Sequence, residues 1–149
     1  MMREILFRGK DINTNKWCYG GYVRKVLFKN TKDEKIRHYI FDGENAGPIV
    51  MHEVNPETVG QCTRLEDYSG KYKAYEGDIV QDLDDGTLGI VYWDEKEAGF
   101  MIEIENCAVP AQDISYYQVI GNKWDNPELL EQLERQKENT EGEWKPFKE

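Results

Sequence analysis

The sequence predicts a mainly β protein: a small bent-sheet or SH3-like β barrel with short helical turns and one C-terminal helix over about residues 127–137. Three observations carry that prediction. Short runs of aromatic and β-branched residues recur along the 149-residue chain, Gly and Asp punctuate them at close intervals, and only one segment, near the end, has helical periodicity. With 39% hydrophobic and 12% aromatic residues the chain can build a packed core, and its length is that of one ordinary domain.

Residues 5–9 read as a first strand ending at Gly9, and residues 17–23 resume strand composition after a polar connection, so the two form a hairpin. Gly20 and Gly21 stand inside the second run, where glycine weakens a strand unless the backbone bulges or is closely approached. Residues 26–28 extend the sheet, 29–35 are a polar loop, and 38–41 are a short strand stopped at Asp42 and Gly43. Gly47-Pro48 breaks a loop before a candidate edge strand at 49–54. Asn55 then predicts the cap of a single helical turn over residues 55–59, with Pro56 at its first position. Residues 60–65 follow as a strand and 66–71 as a turn.

The strongest hairpin signal is Asp85-Gly86 between the apolar runs 75–81 and 88–93. Residues 100–105 alternate apolar and acidic, as a half-exposed strand does, and residues 116–122 supply one more strand. Asn126, Pro127 and Glu128 make a helix start; Leu129, Leu130 and Leu133 make its apolar stripe, and Glu131 pairs with Arg135 on the other side. The expected organisation is one β-rich domain over residues 1–138, divisible into halves 1–60 and 61–125. A polar tail, 139–149, carries Trp144 and Phe147.

The net charge of -10 is unevenly placed. Residues 1–60 hold ten Lys/Arg and eight Asp/Glu, net +2, so residues 61–149 carry -12. Arg24, Lys25, Lys29, Lys32, Lys35 and Arg37 form a local basic stretch, a candidate interaction patch, whereas residues 82–105 hold eight acids and one base. Such polarity can steer a basic segment of one copy toward an acidic segment of the next, so a homo-oligomer is the expected assembly. The bulk charge disfavours nucleic acid as a partner, since it repels phosphate. Two readings of the alternative class remain: a weak nucleic-acid binder through residues 24–37, or an acidic face at 82–105 that mimics DNA and binds a basic protein.

No run of apolar residues is long enough for a membrane span, and charges interrupt the apolar stretch at the N-terminus, so the expectation is a cytoplasmic protein without membrane partners. Cys18, Cys62 and Cys107 lie at least 44 positions apart, which matches neither a disulfide framework nor a zinc-ligand spacing. His38 and His52 have no second ligand at a useful spacing, although a Cys–His pair can still meet in space. Glu76 and Asp78 flank Gly77 and would share one face of a strand, an acidic pair able to hold a divalent cation or move protons. Phosphate-cradling glycine motifs are absent. The reading is a protein that is not an enzyme, with no catalytic residue, cofactor site or metal site assigned.

Four segments taken in order resemble the YopX family of small phage and prophage proteins. They are Phe7-Arg8-Gly9-Lys10 with Lys16-Trp17 and Gly20-Gly21-Tyr22-Val23; Pro56-Glu57-Thr58-Val59-Gly60-Gln61; Tyr75-Glu76-Gly77-Asp78-Ile79-Val80; and Val119-Ile120-Gly121-Asn122 with Asn126-Pro127-Glu128-Leu129-Leu130. The chain departs from the family pattern at Thr63-Arg64-Leu65, Tyr68-Ser69-Gly70 and Lys123-Trp124, which alter turns and surface. The resemblance implies a β-rich accessory protein encoded by a phage or prophage, acting in the bacterial host cell by associating with itself or with a phage or host protein. It carries no catalytic residue onto this sequence.

Overall fold

The aromatic and β-branched runs become ten strands in the computed structural model, which describes residues 3–43 and 47–139. In chain order these are β1 (Phe7–Asp11), β2 (Trp17–Leu27), β3 (Lys35–Asp42), β4 (Val50–Glu66), β5 (Lys73–Tyr75), β6 (Asp78–Asp82), β7 (Leu88–Asp94), β8 (Gly99–Ile104), β9 (Cys107–Pro110) and β10 (Tyr117–Asn122). A 3₁₀ segment, Ala111–Tyr116, precedes β10, and the helix α1 (Pro127–Asn139) closes the described chain. The protein is mainly β, with two bent sheets: the second is open, and the first joins back on itself where β1 pairs with both β2 and β4. The residues pack as two compact units, Met1–Cys62 and Thr63–Glu149. The tail beyond Asn139, with Trp144 and Phe147, lies outside the described residues.

In the first unit β1 and β3 each lie between β2 and β4. Arg8 is opposite both Tyr19 and Gly60, and Ile40 is opposite both Tyr22 and His52. Each long strand therefore changes partner partway along: β2 leaves β1 after Gly20 and takes up β3 at Gly21. The changeover demands glycine at position 20, where φ is +155° and any Cβ would overlap the carbonyl oxygen of Phe41. Cys18, Ile40 and Val54 form the buried centre, with Phe7, Tyr22 and Val59 packed against it.

The expected helical turn at residues 55–59 is instead part of β4. Asn55 does make a local turn, its side-chain oxygen accepting the Glu57 N–H at 3.0 Å, but the strand absorbs the extra residues as a bulge. Thr58 fixes that bulge by donating to the Asn55 carbonyl at 2.6 Å and accepting the Lys10 N–H at 2.8 Å.

In the second unit the sheet runs β10-β6-β7-β8-β9, every neighbour antiparallel. Its core joins Ala74, Val80, Val91, Ile102, Ile104, Val109, Ile114 and Tyr117. The Asp85-Gly86 hairpin is present between β6 and β7. Helix α1 packs on β7 and β10 through Leu133, and its Gln136 binds both backbone groups of Leu88 at 2.9 Å. Asn126 precedes the helix, but its side-chain oxygen accepts the Asn122 N–H at 3.1 Å and so ties the end of β10. Among the described residues no helix is long and apolar enough to cross a membrane.

Candidate functional site

The six basic residues share one hairpin. Arg24 and Lys25 stand on β2, Lys35 and Arg37 on β3, and Lys29 and Lys32 in the connection, all exposed. Lys25 is directly opposite Arg37, a repulsive cross-strand pair, and Glu53 offsets it from 3.7 Å on the Arg37 side.

The acidic pair is not a strand-face pair. Glu76 and Gly77 form the turn between β5 and β6, Gly77 has φ +89°, and Asp78 is buried with Oδ2 accepting the Tyr75 N–H at 2.8 Å. A glycine in the left-handed region reverses the chain, so the alternation that would align the two carboxylates is broken.

Several acids of residues 82–105 hold turns together. Asp82 accepts the Asp84 N–H, Asp85 accepts the Thr87 N–H, and Asp94 accepts the N–H groups of Lys96 and Glu97. Glu103 pairs with Lys137.

The structure builds two features that sequence spacing did not disclose. The first is a face of the bent sheet. Alternation along the registers Gly21–Phe41–Met51 and Val23–Tyr39–Glu53 puts these residues on the side opposite Tyr22, Ile40 and His52. Tyr19, Val23 and Met51 are 45%, 38% and 55% exposed there, Tyr39 and Phe41 are half-buried, and Lys25, Arg37 and Glu53 edge the patch. No apolar alternation marks β2 as one-sided, because both of its faces carry aromatic residues.

The second is a group of three different donors, Asp11 from the end of β1, Cys18 from β2 and His52 from β4, with one ligand atom of each within 4.8 Å of the others. Asp11 Oδ2 meets His52 Nδ1 at 3.1 Å, while Oδ1 accepts the N–H groups of Asn13 at 2.7 Å and Thr14 at 3.1 Å. Those two backbone bonds, with the His52 contact, hold the Asp11 carboxyl below its ordinary range. Burial, reinforced by the charges of Asp11 and Asp42, pushes the Cys18 thiol up; its Sγ lies 3.7 Å from the Lys16 carbonyl. A thiol held protonated is a poor nucleophile, so the trio does not have the electrostatics of an activated cysteine. His38 is engaged elsewhere, its Nδ1 2.5 Å from the Tyr22 hydroxyl.

Comparison with known proteins follows the same outline. The family model described as YopX protein matches residues 6–131, from just before β1 to within α1. No curated protein matches the chain.

Proposed function

Taking as premise that the chain belongs to the YopX family, we propose that it is a non-enzymatic accessory protein of a phage or prophage, working in the host cytoplasm as a self-associating β interaction module. The observation that carries this reading is the apolar sheet face of Tyr19, Val23, Tyr39, Phe41 and Met51, edged by Lys25, Arg37 and Glu53. An apolar centre with a charged edge is the composition of a protein-binding patch, and an antiparallel sheet has no need of exposed aromatics on its solvent side. The occupant is a second copy: a net +2 over residues 1–60 and -12 over the remainder supply complementary surfaces on identical chains.

Light scattering behind size-exclusion chromatography tests it across protein concentration and salt. A mass that is a multiple of the chain mass, reduced to one chain by Val23→Glu with Met51→Glu, is the expected result. One chain at every concentration and salt overturns it.

The alternative of a nucleic-acid modulator has one observation in its favour, the gathering of six cations on a single exposed hairpin with Phe28 at its tip. Titration of labelled single-stranded and duplex DNA decides it. Binding that weakens linearly in log salt, and is lost on changing Lys29 and Lys32 to Glu, would favour this reading.

A further inference from the structure

We infer that Asp11, Cys18 and His52 form a binding site for a divalent transition-metal ion of the Zn(II) class, with water completing the coordination. The inference rests on the geometry of this trio alone and stands or falls separately from self-association.

The donor set is selective. A thiolate, an imidazole and one carboxylate suit Zn(II) and its neighbours in the first transition row, whereas Mg(II) and Ca(II) require oxygen shells. Three protein donors with a fourth position left to water is also the count of an open zinc site.

Geometry agrees with the chemistry. With metal–N and metal–O bonds of about 2.0–2.2 Å, a tetrahedral ion separates those two donors by about 3.3–3.6 Å, a few tenths of an ångström more than the observed Nδ1 to Oδ2 distance of 3.1 Å. The sulfur completes a triangle whose sides are all within 4.8 Å. A 2.3 Å metal–sulfur bond requires roughly 3.5 Å between Sγ and each of the other two donors, so binding draws the sulfur inward from any longer separation.

Asp11 is already oriented for the task. The N–H groups of Asn13 and Thr14 occupy Oδ1 and leave Oδ2 directed at His52, the arrangement by which an outer hydrogen bond fixes a ligating carboxylate. Solvent reaches two of the donors: the His52 and Asp11 side chains are 28% and 13% exposed, while Cys18 is buried. The three donors stand on paired strands, Asp11 at the end of β1, Cys18 on β2 and His52 on β4, and the exchange of partners by β2 and β4 around β1 brings them together.

Binding is a ligand exchange without redox chemistry. The Cys18 S–H bond breaks, its proton goes to solvent, and the sulfur lone pair forms the metal bond as hydrated metal releases water.

The experiment uses the full chain stripped of metal, titrated with Co(II) and then Zn(II). Expected are one equivalent of Co(II), a thiolate-to-cobalt charge-transfer band in the near ultraviolet, intense visible bands of four-coordination, and displacement by Zn(II). Cys18→Ser should abolish the charge-transfer band, His52→Asn should weaken binding at least tenfold, and Cys62→Ala should change neither. Zn(II) should also slow alkylation of Cys18 at least tenfold in the unaltered protein, read peptide by peptide, which needs no variant to fold. A thiolate-free, six-coordinate cobalt spectrum, equal affinity in Cys18→Ser, or no protection of Cys18 each overturns the site.

Discussion

Gly77 and Trp124 compete for one space: a Cβ on Gly77 would overlap Cη2 and Cζ3 of the indole. The glycine also sits at φ +89°, donates to the Val91 carbonyl at 2.8 Å and accepts the Lys123 N–H at 3.0 Å. It thus ties the β5–β6 turn to β7 and to the segment after β10 within the second unit. Gly77→Ala should cost about 2–4 kcal/mol, the sum of left-handed strain and overpacking. Urea unfolding checks this, and an unchanged midpoint would contradict the role.

Gln136 completes the hydrogen bonding of Leu88 from helix α1, accepting its N–H and donating to its carbonyl. Leu88 is buried, so water cannot easily replace the amide. Gln136→Ala should lose about 1–3 kcal/mol, and Gln136→Glu should restore only the N–H bond. Hydrogen exchange at Leu88 should accelerate in both variants, most in the alanine form.

Asp67 is buried and each carboxylate oxygen has work: Oδ1 accepts the Ser69 N–H and hydroxyl, and Oδ2 accepts the Val119 N–H at 3.0 Å. Asp67→Asn places an amide donor against one of those donors, so the near-isosteric change should destabilise almost as much as Asp67→Ala, about 2–3 kcal/mol. Thermal unfolding of the two variants side by side would show a clear gap if the acceptor pair were unimportant.

Alkaline pH should weaken the second unit. Burial, then the charges of Asp82 and Asp113, push the Tyr117 phenol well above its ordinary value, and burial raises Tyr92 as well. Because the folded values are the higher ones, the neutral phenols' contribution is complete below the ordinary tyrosine pKa of about 10 and declines as pH rises through the folded values. On the acid side Asp94 is held below its ordinary value first by the Glu97 N–H, so its contribution persists above about pH 4 and fades as pH falls through the folded value. Urea midpoints should form a plateau that drops at both ends, and Tyr117→Phe should flatten the alkaline side.

Local signals hold where local chemistry decides. The Asp85-Gly86 turn and the Pro127 start of α1 stand where their residues place them, because a left-handed glycine and a first-turn proline act within a few residues. Asn55-Pro56 carries the same kind of information and misleads, since the ladder from Lys10 outweighs one turn of helix. The metal-site candidates were illegible for another reason. Asp11 and His52 are 41 positions apart and meet only because β4 lies beside β1, a register that no spacing rule encodes. Glu76 and Asp78 looked paired by spacing and are separated by one glycine's φ.

The way β1 is flanked has a consequence for how the chain reaches its native state. Phe7 finds Gly20 almost at once during synthesis, but its other neighbour, Gln61, is made far later. Until then the first strand presents an unsatisfied edge beside aromatic residues, a template for pairing with any other extended chain. Closure across so many residues is a non-local, slow event, so folding of the first unit should be the step that limits yield at high expression. Slower translation or lower temperature would lengthen the interval for correct pairing relative to encounters between nascent chains.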